Sequence, residues 1–112
     1  MEKEIRVKLL REAEEFIRNE KQQVIKKFLF SFRKTEAGLK GDWFRKMEGS
    51  NLFEFRVDAD NRFFRMFAFW DSRGESETLI VCTHCIAKKK NETPKKELEK
   101  AEAIMKVYFD ST

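Results

Sequence analysis

The chain has 112 residues, a length that suits a modest core, and we expect residues 1–112 to form a single domain. Lys and Arg outnumber Asp and Glu by 24 to 20, and the pI of about 9.1 favours an anionic partner without establishing one. No apolar run approaches the roughly 20 residues of a membrane-spanning helix, and no apolar signal segment follows Met1–Glu4. We therefore expect a cytoplasmic protein with no membrane partner.

The N-terminal part of the chain predicts a short strand followed by two helices. Glu4–Leu9 alternates polar and apolar side chains as a strand does, although a continuous helix is also possible here. Apolar residues then recur at helical spacing in Leu9–Asn19 and in Lys21–Lys34, which predicts a helical hairpin. Further on, Asp42–Met47 is predicted to form a short helical turn capped by Asp42.

Three strands and a last helix are predicted in the rest of the chain. Turn signals at Asp58–Asn61 and Asp71–Gly74 divide this stretch as in antiparallel hairpins. The predicted strands are Leu52–Val57, Arg62–Trp70 and Thr78–Ala87. Thr93-Pro94 then begins a helix over Lys95–Phe109. The apolar stripe of this helix is predicted to consist of Leu98, Ala101, Met105 and Tyr108. The predicted layout is an α+β fold of order β-α-α-β-β-β-α with an antiparallel sheet core. Its helices would lie mainly on one face and leave the other face partly open.

The central predicted strand carries a charge within an apolar run. Arg65 interrupts Phe and Met residues that a sheet would cover on both faces, where an unpartnered guanidinium is costly. A two-residue turn at Asp60-Asn61 would place Arg56 directly opposite Arg65, and like charges facing each other across strands are unfavourable. Either an anion binds between the two arginines, or Glu54 or another carboxylate neutralises them.

The two cysteines form a lone Cys-X-X-Cys motif. Residues three apart in a strand point to opposite faces, so Cys82 and Cys85 would not bind one metal ion together. A zinc site also needs further ligands, and His84 is the one histidine of the chain. A redox motif of this kind would be expected to open a helix rather than to lie within a strand. We therefore predict two ordinary thiols, with no metal and no cofactor.

Three motifs in a fixed order carry a family resemblance. They are LFEFR at residues 52–56, RFFRMF at residues 62–67, and Lys88-Lys89 followed by Thr93-Pro94 and an Ala-containing helix. With these motifs the sequence resembles the RelE/ParE superfamily of bacterial toxins, and within it the HigB-like, phage-derived branch of type II toxin–antitoxin systems. The chain departs from the family pattern at residues 84–86 and 90–92.

The resemblance implies a RelE-like fold and an mRNA endoribonuclease that acts in the ribosomal A site without a metal. The RNA's own 2′-hydroxyl would attack the adjacent phosphate, and Arg56 and Arg65 would stabilise the charge of the phosphorane. The proton acceptor or donor would be His84, a lysine with a lowered pKa, or Tyr108. His84 would share a face with Arg65 if the second hairpin turned at Arg73-Gly74. The alternative is that His84 is a half-buried strand residue that is bonded to backbone.

The same resemblance predicts the partners. A set of basic side chains would bind RNA, namely Arg62, Lys88, Lys89 and Lys90. Lys88 is also a candidate for leaving-group stabilisation, although a run such as Lys88–Lys90 equally fits a solvated surface. We expect mRNA and the ribosome as partners, together with a cognate antitoxin that contains a helix-turn-helix domain.

Two other functions stay open at this point. The ParE branch resembles this fold but inhibits DNA gyrase by binding, so the chain could be a toxin without catalytic activity. A basic domain that binds RNA or DNA without any reaction is the other alternative. Alanine at Arg56 or Arg65 would abolish RNA cleavage but need not abolish binding to gyrase.

Overall fold

A computed structural model describes residues 3–88 and 93–111. Its elements follow the chain in the order β1 (Glu4–Leu9), α1 (Arg11–Asn19), α2 (Gln22–Glu36), β2 (Phe44–Lys46), β3 (Phe53–Ala59), β4 (Arg62–Asp71), β5 (Glu77–Lys88) and α3 (Lys95–Ser111). The α+β class is therefore confirmed. In the described part of the chain no helix is long and apolar enough to cross a membrane.

The strands form one sheet in the order β1-β5-β4-β3-β2. The predicted meander is confirmed, since β3, β4 and β5 pair antiparallel in sequence order. Glu4–Leu9 is a strand rather than the start of a helix, and it pairs parallel to β5. The sheet is therefore mixed, with β1 as its one parallel edge strand among the described residues.

The predicted helical turn at Asp42–Met47 is wrong. Phe44–Lys46 instead forms the edge strand β2, which pairs antiparallel with β3 and places Phe44 opposite Phe55. The Phe44 ring lies 4.4 Å from the Phe55 ring and 5.2 Å from the Phe53 ring, between ring centroids. These aromatic contacts across the strand pair favour an extended backbone over a local helical turn. The layout thus contains one strand more than predicted.

The first hairpin turns at Asp60-Asn61, as predicted. Both residues have positive φ, 53° and 56°, which a two-residue turn of type I′ requires and which Asp and Asn adopt more readily than other non-glycine residues. The turn fixes the register of β3 on β4, so the predicted pairing of Arg56 opposite Arg65 is confirmed.

A substitution at Asn61 tests this turn. We expect Asn61→Val to lower the free energy of unfolding by about 1–2 kcal/mol, because a β-branched side chain is strained at positive φ. Asn61→Gly, which has no Cβ, should leave stability unchanged or raise it. Urea denaturation of the two variants checks this, and equal stability of both would show that the turn does not need positive φ.

The second hairpin differs from its predicted register. Asp71 pairs with Leu79, so the connection lies at residues 72–76 and not in a tight turn at Arg73-Gly74. A bulge follows, since Met66 pairs with Cys85 whereas Ala68 pairs with Cys82, and two residues of β5 therefore stand opposite Phe67. The extra residue reverses which face each later side chain of β5 occupies.

This bulge corrects the prediction about the cysteines. Cys82 and Cys85 do not point to opposite faces, because both lie in or against the same hydrophobic cluster. Both are free thiols, and burial raises the pKa of each, so both stay protonated at neutral pH. No three His, Cys, Asp or Glu side chains within residues 3–88 and 93–111 are arranged to hold a metal ion.

Helices cover both faces of the sheet. The two N-terminal helices pack on one face through Ala13, Val24, Phe28 and Phe32. The prediction of helices mainly on one face therefore holds for α1 and α2 only. The third helix packs on the opposite face, through the predicted stripe of Leu98, Ala101, Met105 and Tyr108.

Two side-chain contacts define the part of the sheet that α3 crosses. The helix begins beside His84, where Glu97 contacts the imidazole, and it ends beside Asp71, where Tyr108 contacts the carboxylate. In β4 this path runs from Phe67 to Asp71. Arg65, two residues before Phe67 in β4, therefore lies near the N-terminal end of α3.

Candidate functional site

The candidate site is built from adjacent strands on the face that α3 partly covers. One row across the strands holds Arg56, Arg65 and Ile86, and the next row holds Phe63 and Lys88. Neighbouring strands in a sheet are about 4.8 Å apart. The sheet thus brings together three of the predicted side chains, namely Arg56, Arg65 and Lys88.

Arg65 is held in a fixed position. Its side chain is 2% exposed, and Nη1 donates to the carbonyl oxygen of Phe64 at 2.8 Å and to Oδ1 of Asp58 at 3.1 Å. The Asp58 side chain is itself 64% exposed and lies on the same face of β3 as Arg56. The guanidinium is therefore bound by one backbone carbonyl and by one carboxylate that is itself exposed to solvent.

Arg56 also lies near a carboxylate. Its Nε is 3.6 Å from Oε1 of Glu54, and both side chains are mostly buried. The other carboxylate oxygen of Glu54, Oε2, is buried and has no hydrogen-bond partner among the described residues. A buried acceptor without a donor is costly, and a donor brought by a ligand would satisfy it.

The remaining predicted RNA-binding residues are not all at this site. Lys88 Nζ donates to Oγ1 of Thr93 at 3.0 Å, which links the end of β5 to the start of α3. Arg62 faces the other side of the sheet, where it binds Glu20 at 2.7 Å and its guanidinium lies over the Phe64 ring. Lys89 and Lys90 lie outside the described residues.

His84 lies on the same face as Arg65, as predicted, but because of the β5 bulge and not because of a turn at residues 73–74. It is 3% exposed, with Nδ1 3.0 Å from Oγ1 of Thr83 and Nε2 2.9 Å from Oε2 of Glu97. Its ring also packs on Phe67. The predicted alternative of a half-buried histidine bonded to backbone is therefore wrong, because side chains satisfy both nitrogens.

Burial sets the protonation state of this histidine. It lowers the pKa of His84 below the ordinary value near 6.5, and the hydrogen bond to Glu97 opposes that effect without cancelling it. The imidazole is therefore neutral at pH 7. A neutral imidazole can accept a proton, although here both ring nitrogens are already in hydrogen bonds.

This pKa shift predicts a pH dependence of folding. Below about pH 6.5 an unfolded chain protonates its histidine more readily than the folded chain does, so stability falls as the pH decreases through that value. We expect wild type to lose more stability than His84→Gln between about pH 8 and pH 5. Urea denaturation of both proteins measures this, and since the chain has one histidine, parallel pH profiles would contradict the prediction.

Tyr108 is not brought to the arginines. Its hydroxyl donates to Oδ2 of Asp71 at 2.7 Å, and Arg73 binds the same carboxylate. Hydrogen bonds from Arg73 and Tyr108 lower the pKa of Asp71 despite its burial. Asp71 is six residues from Arg65 along β4, or about 20 Å in a strand. Tyr108 thus belongs to a separate polar cluster at the other end of the sheet.

Sequence reasoning missed two carboxylates around the site. Asp58 follows Arg56 by two positions in the same strand, so the period of two was a signal that could have identified it. Glu97 gave no comparable signal, because its contact with His84 depends on how α3 docks on the sheet.

The chain matches a protein-family model, whereas no curated protein and no solved structure matches it. The matching family is described as phage derived protein Gp49-like (DUF891), and the match covers residues 15–106. That segment includes every strand from β2 to β5, and with them Arg56, Arg65, His84 and Lys88. The chain therefore belongs to the Gp49-like family, a RelE-like family associated with the toxins of toxin–antitoxin systems.

Proposed function

We propose that the protein is a HigB-like toxin that cleaves mRNA on the ribosome and so inhibits translation. The observation that carries this proposal is the cross-strand pair of Arg56 and Arg65, which stand directly opposite each other in β3 and β4. Like charges are unfavourable in directly opposed positions unless anions lie beside them. Glu54 and Asp58 lie beside the two arginines, and a phosphate group would bind the same pair of guanidinium groups as a further anion.

The two arginines would act by electrostatic stabilisation. In cleavage by the RNA's own 2′-hydroxyl, negative charge develops on the oxygens of the phosphorane. Donors that are already fixed in direction stabilise such charge without reorganisation. Arg65 meets this requirement, because its guanidinium is held by Phe64 and Asp58. Lys88, one row away, would steer the phosphate or stabilise the leaving oxygen.

The proton of the 2′-hydroxyl needs an acceptor near these cations. We assign this role to Glu54, because its Oε2 is buried beside Arg56 and accepts no hydrogen bond from the described residues. His84 and Tyr108 stay predictions from the sequence, and each would first have to give up a side-chain hydrogen bond. Arginine itself does not act as a base, since it does not lose its proton in proteins.

Membership in a toxin family implies an antitoxin partner. We propose a helix-turn-helix antitoxin that covers the Arg56, Arg65 and Lys88 side of the sheet or disturbs α3. The second mode would change the site, because α3 begins next to it through Glu97. The substrate complex would be mRNA on the ribosome.

One observation favours a non-catalytic toxin as the second candidate. Glu54 and Asp58 lie next to Arg56 and Arg65 respectively, so the charges of the arginine pair are offset without any phosphate. Such a pair would fit a ParE-like inhibitor that binds DNA gyrase, or a basic domain that binds nucleic acid.

Two parallel reactions separate these functions. The protein is added to a reconstituted translation reaction and, separately, to plasmid supercoiling by gyrase. The ribonuclease predicts loss of full-length mRNA with normal supercoiling. Intact mRNA with blocked supercoiling would establish the gyrase inhibitor instead, and no effect in either reaction would refute both toxin activities.

A further inference from the structure

A second basic surface lies at the edge of β3, next to the arginine pair. The strand β2 is short and pairs with only Phe53–Phe55, so the edge of β3 is not paired with β2 from Arg56 onward. At this edge a cleft of about 260 Å³ is lined by α2, by β3 and by Trp43. Its lining includes Arg56 and Asp58, so the cleft borders the candidate site.

The charges of α2 are of one sign on its exposed side. Four basic residues lie on it, namely Lys26, Lys27, Arg33 and Lys34, and its one acidic residue is Glu36. Glu36 does not offset them, because its carboxylate accepts from the backbone N–H of Val7. By contrast, α1 and α3 alternate both signs and contain ion pairs four residues apart. A helix that is merely solvated would be expected to carry both signs.

The basic side chains reach across the edge of the sheet. Lys27 Nζ donates to the backbone carbonyl of Asp58 at 2.8 Å, so it lies directly over the end of β3. Lys34 Nζ lies 3.7 Å from the ring centroid of Trp43 and 4.9 Å from that of Phe30. No carboxylate among the described residues lies within ion-pair distance of Lys27 or Lys34. The two ammonium groups are therefore available to an anion.

An exposed aromatic ring lies among these cations. Phe30 is 63% exposed, which is unusual for so large an apolar side chain. Trp43 is fixed beside it, since its Nε1 donates to Oγ1 of Thr35 at 2.9 Å and its carbonyl accepts from the N–H of Arg56 at 2.8 Å. Ammonium groups with exposed aromatic rings are the combination that binds single-stranded nucleic acid, through its phosphates and the faces of its bases.

We propose that this cleft binds single-stranded RNA, with Phe30 stacking on a base and Lys27 and Lys34 binding the flanking phosphates. The inference rests on the proposed ribonuclease function, because it extends the path of the RNA from Arg56 over the edge of β3. The cleft is smaller than the roughly 300–1,000 Å³ of small-molecule sites, so a single base fits it better than a metabolite does. A duplex would not offer an unstacked base to Phe30.

Binding of a short single-stranded RNA with 2′-O-methyl groups tests the inference, because this probe cannot be cleaved by 2′-hydroxyl attack. Fluorescence anisotropy should show that Phe30→Ala weakens binding roughly 5- to 100-fold. Leu29→Ala, which removes an exposed apolar side chain from the same helix, should leave binding unchanged. Phe30→Trp, which keeps an aromatic ring at this position, should bind the RNA about as tightly as wild type.

The charges are tested by salt dependence. The double variant Lys27→Gln with Lys34→Gln should reduce the slope of log K against log salt by about 1.4, as expected for two lost phosphate contacts to a single strand. Lys106→Gln, which removes a lysine that is 77% exposed and far along α3, should not change the slope.

Three results would overturn the inference. They are the absence of RNA binding by wild type, equal binding by Phe30→Ala and Leu29→Ala, and binding of an acidic polypeptide with the same dependence on Phe30, which would assign the cleft to a protein segment.

The proposed ribonuclease function is tested separately from the RNA-binding cleft. If mRNA is cleaved while the Phe30 and lysine variants behave as wild type, only the inference is refuted. If these variants lose binding while no mRNA is cleaved, only the proposed function is refuted.

Discussion

Arg56→Ala should slow mRNA cleavage by roughly 100- to 1,000-fold, the loss typical of removing one fixed donor from a developing oxyanion. The substitution removes a cation that lies directly opposite Arg65 and beside Glu54. The fold should be retained, because β3 keeps its backbone pairing with β2 and β4. Initial rates of mRNA loss in a reconstituted translation reaction measure the effect.

Arg11→Ala is the matched control for this variant. It also removes one guanidinium, but from a side chain on α1 that is 90% exposed and pairs only with Glu15 among the described residues. It should cleave at the wild-type rate. Glu54→Gln should be slowed like Arg56→Ala if Glu54 accepts the 2′-hydroxyl proton. Equal rates for Arg56→Ala and Arg11→Ala would show that the arginine pair does not take part in cleavage.

Phe64→Ala should lower the free energy of unfolding by about 3–5 kcal/mol, which is a large part of the 5–15 kcal/mol typical of small domains. Phe64 is fully buried between the sheet and the helical hairpin, with ring centroids of Phe16 and Phe28 at 5.6 and 6.2 Å. Its neighbour Arg65 points to the opposite face, so the variant tests the core and not the site.

Urea denaturation measures this loss, with Phe30→Ala as the matched control. Phe30 is largely exposed, so its truncation should change stability by no more than about 0.5 kcal/mol. A loss below about 1 kcal/mol for Phe64→Ala would mean that the two layers are not packed through this ring.

The first hairpin could be predicted from the sequence because its turn determines its register. Asp60 and Asn61 are residue types that accept positive φ, and a two-residue turn allows one pairing of the strands on either side. The opposition of Arg56 and Arg65 followed from that turn alone. The apolar stripe of α3 could also be predicted from the sequence, because helical spacing determines which side chains share a face.

The second hairpin could not be predicted in the same way. Its connection lacks a defining two-residue turn, and the bulge at residues 83–84 leaves no local signal in the sequence. The bulge places His84 against Glu97 of α3, so it depends on tertiary packing. The predicted faces of Cys82 and Cys85 were wrong for this one reason.

The site was predicted better in its cations than in its anions. Arginines in an apolar strand stand out in a sequence, whereas a carboxylate in a chain with 20 of them does not. Glu54 was predicted as a carboxylate that could neutralise the arginines, and it lies beside Arg56, whereas Asp58 was missed and is identified by its distance to Arg65. Tyr108 was predicted as a site residue, but its hydroxyl is bound to Asp71 and not to the arginines.

The most direct test of the ribonuclease proposal is the chemistry of the mRNA ends formed during reconstituted translation. Attack by the 2′-hydroxyl predicts new ends within codons that carry 2′,3′-cyclic phosphates, formed by wild type and Arg11→Ala but not by Arg56→Ala. Ends that carry 3′-hydroxyl groups, ends formed equally by Arg56→Ala, or mRNA that stays intact on ribosomes would each contradict the proposal.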